Sequence, residues 1–192
     1  MSTLSPLLAE TVPSRKRLIQ VAALAWFAVI GLDLLLNAGL LAPFYHWDQP
    51  GLLPPMKMFQ YIPLGYASFL FWSIALVWLV VRTRSYGAAA GARFGMKLGV
   101  LLGGAAFLGW LSIFSFPPVM LFCWALDHAV SFTLAGAVIG GSLTAPRLRP
   151  AVRRVLVLVA VCLLVTVAMQ SLGLAPIHVP QGRITFGWDP KK

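Results

Sequence analysis

The sequence predicts an all-α fold, a polytopic membrane bundle of five transmembrane helices with its N-terminus inside and its C-terminus outside. Three observations predict it. Hydrophobic residues make up 59% of the 192-residue chain and charged residues only 10%, and the mean hydropathy of +0.85 lies far outside the range of soluble domains. Five apolar runs, about 18–42, 61–81, 93–114, 119–143 and 155–174, are each 20 to 25 residues long, enough to cross a hydrocarbon core of ~30 Å at ~1.5 Å per residue. Finally, the basic residues that produce the net charge of +10 alternate between connections. Arg15, Lys16, Arg17, Arg82, Arg84, Arg93, Lys97, Arg147, Arg149, Arg153 and Arg154 fall on one side, against Lys57, Arg183, Lys191 and Lys192 on the other. Basic residues are retained on the cytoplasmic face, so this asymmetry orients the bundle in the cell (inner) membrane and removes nucleic acid as the explanation of the charge.

Residues 1–17 form a cytoplasmic tail, carrying Pro6 and Pro13 before the basic triplet. The first apolar run is too long for a signal-peptide core, has no small-residue cleavage site after it, and is kept as a helix. After it, Pro43–Gly51 and Pro54-Pro55 mix helix breakers with Phe44, Tyr45 and Trp47, which predicts a structured external cap at head-group level. The third and fourth runs are joined only by Ser115-Phe116-Pro117-Pro118, a tight antiparallel hairpin. Gly87, Gly91, Gly95, Gly99 and Gly103 recur every four residues, and the fourth run carries Gly136 and Gly140. Residues four apart share a helical face, so these glycines predict close backbone packing, within the hairpin or at a homodimer seam. Residues 18–174 form a single transmembrane domain and 175–192 an external tail. Cys123 and Cys162 differ in height by ~12 Å, too much for a disulfide.

The chemistry concentrates in one layer. Asp33 and Asp127 each sit ~12 to 14 Å below the outer surface by residue count. Asn37 follows Asp33 by four and Ser131 follows Asp127 by four, so each carboxylate has a polar neighbour on its own face. Thr166 and Gln170, again four apart, and Tyr66 extend the layer from the fifth and second helices. Hydrocarbon penalises a carboxylate by ~2.5–3.5 kcal/mol even on the lenient insertion scale. These groups therefore need one another, a cavity or a ligand. Gly136 lies about 180° around the fourth helix from Asp127 at 100° per residue, so this helix needs neighbours on both sides. The halves of the helices towards the basic connections offer no matching ionisable groups, which suits a site open to the outside and closed near the middle. His128 adjoins Asp127 but lies ~100° around the helix, so simple geometry keeps the two from sharing a partner.

No second intramembrane histidine or Cys-x-x-Cys-His run supports haem. His46, Asp48, His178 and Asp189 lack metal-ligand spacing. No phosphate-binding loop, nucleophile elbow or zincin motif occurs. No metal and no cofactor is therefore expected.

The run Gly31-Leu32-Asp33 with Pro43-Phe44-Tyr45 after it, the glycine-spaced third helix, and Leu126-Asp127 in a late helix resemble small uncharacterised bacterial inner-membrane proteins of unknown function, over about residues 25–143. The resemblance implies a four- or five-helix bundle and a role for the aspartate of the first helix, and no activity. The function expected is non-enzymatic: a polar layer of Asp33, Asn37, Tyr66, Asp127, His128, Ser131, Thr166 and Gln170 binding a small molecule or a partner membrane subunit, in an accessory or assembly role. The partners are the lipid bilayer and a second copy or membrane-complex subunit. Two alternatives stay open: a small proton-linked transporter, and a lipid-modifying enzyme using Asp127 and His128 as acid and base.

Overall fold

A computed structural model describes residues 13–45, 52–53 and 55–175. The expected tails, most of the cap, and His46, Asp48, His178 and Asp189 lie outside the described residues. The chain runs through α1 (Arg15–Leu35), a π-helical turn (Leu36–Leu40), a short 3-10 turn (Ala42–Phe44), α2 (Pro55–Arg82), α3 (Ala88–Ile113), α4 (Pro118–Thr144) and α5 (Arg149–Ser171). All five α-helices are long and apolar enough to span a membrane, which makes this a multi-pass membrane protein. Basic residues at the helix starts are incorporated into α1 and α5, which begin at Arg15 and Arg149 rather than at 18 and 155. Arg and Lys are good helix formers and extend their charged heads beyond the apolar zone, so these two helices begin before their hydropathy runs do.

Local chemistry sets the boundaries. The Ser14 hydroxyl accepts from the Arg17 backbone N–H at 3.3 Å and opens α1. Prolines occupy the first turns of α4 and α5, where a missing N–H costs nothing. Gly87 starts α3 at φ +91°, a left-handed conformation for which a side chain would be strained, and its N–H bonds the Gly140 carbonyl at 3.0 Å. At the same end of α4, the Arg17 guanidinium donates to the carbonyls of Ser142, at 2.6 Å, and Ala145. These carbonyls lack helical partners and carry the negative end of the helix dipole, so Arg17 fastens the start of α1 to the end of α4.

α3 and α4 form the tightest pair. Gly91, Gly95, Gly99 and Gly103 are all buried, and a Cβ at Gly99 or Gly103 would lie 2.8 Å from the His128 carbonyl oxygen or 2.6 Å from that of Ala125. Gly136 and Gly140 meet the backbone of Gly91 in the same way. The glycine stripe is thus consumed inside the hairpin, and the homodimer seam offered by the same spacing is already occupied. The opposite face of α4 packs on α1 through Val21, Ala25, Val29, Phe132, Ala135 and Ile139, with Leu76 and Val80 of α2 in the same cluster. On its other side α1 receives α5 through Leu24, Ala28, Val155 and Val159, with Gly31 directly against Val159. α1 and α4 are therefore the two central helices. Cys123 and Cys162 are both buried and unpaired.

Lipid is as apolar as leucine, so this hairpin depends on close backbone approach rather than on hydrophobic burial. Gly95→Leu is expected to separate α3 from α4 and cost at least ~1–3 kcal/mol, the usual penalty of overpacking, whereas Gly104→Leu, where an added Cβ meets nothing within 4 Å, should be close to neutral. Thermal unfolding of the two variants in mild detergent checks the contrast.

Candidate functional site

The polar layer assembles where α1 changes pitch. Leu41 N–H reaches back five residues to the Leu36 carbonyl at 2.7 Å, and the widened turn holds Asn37 on the inner side of the bundle. π turns of this kind leave carbonyls without their ordinary partners and recur at functional sites. Here α5 compensates, because Gln170 Nε2 donates to the Ala38 carbonyl at 3.0 Å. Thr166 is buried, bonds its own helix at the Cys162 carbonyl and packs near Gly39. Thr166 and Gln170 thus support the π turn rather than hydrogen-bonding the carboxylates.

Asn37 is the centre of the network. Its Nδ2 donates to Asp33 Oδ1 at 2.7 Å, and the Asp127 carboxyl lies nearby. Its Oδ1 accepts from the Tyr45 hydroxyl. Ionised carboxylates only accept, and an amide offers two N–H donors and a carbonyl acceptor, so one asparagine serves Asp33 and a phenol at once. The amide orientation follows: exchanging its oxygen and nitrogen would turn an acceptor towards the Asp33 carboxyl. Ser131 Oγ adds a donor to Asp127 Oδ1 at 3.1 Å. Asp33 and Asp127 lie close enough for the charge of one to act on the other.

Tyr45 was not legible as a site residue, having the look of an interface aromatic. It is 5% exposed and packs in a cluster with Leu36, Leu41, Met120 and Cys123. Burial, reinforced by the charge of Asp127, pushes its phenol above the ordinary range, so Tyr45 remains a donor at any physiological pH. Tyr66 is half-buried and near enough to feel Asp33, and its backbone carbonyl accepts from Trp26 Nε1 at 2.7 Å, tying α1 to α2 beside the layer.

Next to this network lies a cavity of about 160 Å³ between α1, α2 and α4. Its polar wall is Asp127, His128, Ser131 and Ser73, and its apolar wall includes Phe69, Leu76 and Phe132. His128 Nδ1 sits 2.8 Å from the Trp124 carbonyl. A carbonyl only accepts, so Nδ1 carries a proton and Nε2 is the nitrogen left to meet another partner. Asp127 and His128 both border this cavity, and the His128 ring also stands edge-on to Trp110 of α3 with centroids 6.1 Å apart.

The mouth is on the flank of the bundle. Ser68 and Trp72, at mid-height on α2, are exposed, and Trp72 stands edge-on to Phe132 with centroids 5.5 Å apart. The sequence pattern suggested an opening towards the outer end, whereas this cavity reaches the surface sideways. Towards the basic end it is closed by Val21, Ala25, Leu76, Val80 and Ile139, which are 0–1% exposed. No protein family, curated protein or solved structure matches this chain.

Removing the amide donor tests the network. Asn37→Leu should leave Asp33 without its donor and cost ~1–3 kcal/mol, the penalty of an unsatisfied buried polar group. Tyr45→Phe removes one ordinary hydrogen bond and should cost ~0.5–1.5 kcal/mol, both read as shifts in thermal unfolding.

Proposed function

We propose that this protein is a non-enzymatic binding component of the cytoplasmic membrane, which holds the polar head of a small lipid-soluble molecule in the cavity beside Asp127. The observation that carries the reading is the meeting of a buried acid, a histidine and two serines with a laterally open apolar chamber. Ordinary ligand pockets occupy ~300–1,000 Å³, so the chamber takes only part of a molecule. An apolar cavity of ~150 Å³ accepts a benzene ring; this chamber fits one ring or compact head, the remainder lying along α2 in the lipid. A head with both a hydrogen-bond donor and an acceptor matches Asp127 and Ser131 on one side and His128 on the other.

The apolar plug between the cavity and the basic end favours binding over proton-linked transport, because an ion crossing that plug would have no polar partner. The acid–base alternative gains from Asp127 and His128 sharing a chamber. A partner subunit remains the other occupant of the same mouth, pressing a helix against Ser68 and Trp72. The basic bias supports an N-terminus inside and a C-terminus outside, with the Asp33–Asp127 layer nearer the outer surface.

Purification in mild detergent followed by mass spectrometry of retained small molecules tests the reading. The wild type should retain one lipid-soluble species in stoichiometric amount, and Ser73→Leu, which fills the chamber, should lose it. Retention of a protein subunit instead would favour the accessory alternative, and turnover of added lipid would favour the enzyme. For orientation, a cysteine placed at Gln181 should react with an impermeant thiol reagent in intact cells and one at Ser14 should not; the reverse pattern would invert the topology.

A further inference from the structure

Among the described residues, the acidic groups are in the wrong place to neutralise the basic end. Of five Asp and Glu residues, only Asp33 and Asp127 lie among the described residues, and both are in the polar layer. Asp127 is about 25 Å along α4 from the end of that helix at 1.5 Å per residue. No acidic side chain among the described residues can therefore pair with Arg149, Arg153 or Arg154, all exposed at the start of α5.

Those arginines border built space. A groove of about 590 Å³ runs between α1 and α5, walled by Leu24, Phe27, Val152 and Leu156, with Arg149 and Arg153 in its lining. A second hollow of about 620 Å³, containing Arg154 and Val157, shares Arg149 and Arg153 with the first. Residues four apart lie on one helical face, so these two guanidinium groups form a ridge between two depressions. The helix beginning there has neither a side-chain cap nor an acidic residue in its first turn, so its positive end also lacks a complement.

We infer that an anionic phospholipid is bound at this corner, its phosphate between Arg149 and Arg153 at the α5 N-terminus and one acyl chain along the α1–α5 groove. Guanidinium forks suit phosphate oxygens, and the groove continues from the phosphate position into the apolar part of the bundle, as an acyl chain requires. This site is separate from the Asp127 cavity and independent of what that cavity holds.

The full chain, reconstituted in phosphatidylcholine nanodiscs with and without phosphatidylglycerol, then extracted gently for native mass spectrometry, provides the test. Phosphatidylglycerol should remain bound as one adduct where phosphatidylcholine does not. Basic residues near an anionic surface contribute enough each that Arg149→Ala with Arg153→Ala should weaken retention about tenfold or more. The pair Arg93→Ala and Lys97→Ala, on α3 outside the groove, should change it less than about twofold. Ala23→Trp, at an exposed position lining the groove, keeps every charge and should displace the acyl chain, lowering retention without altering the fold. Equal loss from the α3 pair would show diffuse attraction and overturn the site. Competition by inorganic phosphate together with indifference to Ala23→Trp would reduce it to an anion site without lipid, and a dimer mass replacing the adduct would give the groove to a second copy; either result overturns the inference.

Discussion

The structure turns on a single side-chain amide. Two carboxylates inside an apolar bundle repel each other, and neither can donate to the other while ionised. Asn37 supplies a donor to Asp33 and lies beside Asp127, which accepts from Ser131, and the Asn37 carbonyl is taken by Tyr45. These groups are on different segments: Asp33 in α1, Asp127 in α4 and Tyr45 beyond the 3-10 turn. Charge satisfaction therefore also fixes how α1, α4 and the chain after the π turn lie together.

The remaining packing makes that meeting possible. Glycine contact with α3 uses one face of α4, which leaves the opposite face, bearing Asp127 and Ser131, for α1 and α2. α5 stands behind α1, with Gly31 giving Val159 room and Gln170 supplying the donor that the π turn leaves wanting. Arg17 fixes the far ends of the same two central helices by holding the carbonyls that close α4. The pair is thus tied at both ends by polar contacts with apolar packing between, which suits a medium where apolar contact alone gives little reason for helices to prefer each other over lipid.

Much of this can be read from spacing. Helical periodicity puts Asn37 beside Asp33 and Ser131 beside Asp127, and counting residues from the helix ends puts the two acids at one depth. The four-residue glycine repeat also announces a close helix contact. Tyr45 escaped because depth counting presumes a steady α-helical rise, and the chain between Leu36 and Phe44 follows π and 3-10 geometry instead. Arg17 read as a topology signal because its partners are backbone carbonyls, which have no signature in sequence. Phe69, Trp72 and Ser73 of the cavity wall depend on how α2 crosses α1 and α4, a property of three helices together.

The central claim is that Asp33 and Asp127 form one unit beside Asn37, and a double-mutant cycle measures this most directly. Asp33→Leu, Asp127→Leu and the double variant would be unfolded in identical detergent, with stabilities compared to wild type. Acids that act on each other beside one asparagine should be coupled, so that the double variant loses less than the sum of the single variants by ~0.5–3 kcal/mol. Losses that add within ~0.3–0.5 kcal/mol, the behaviour of independent sites, would contradict a shared unit.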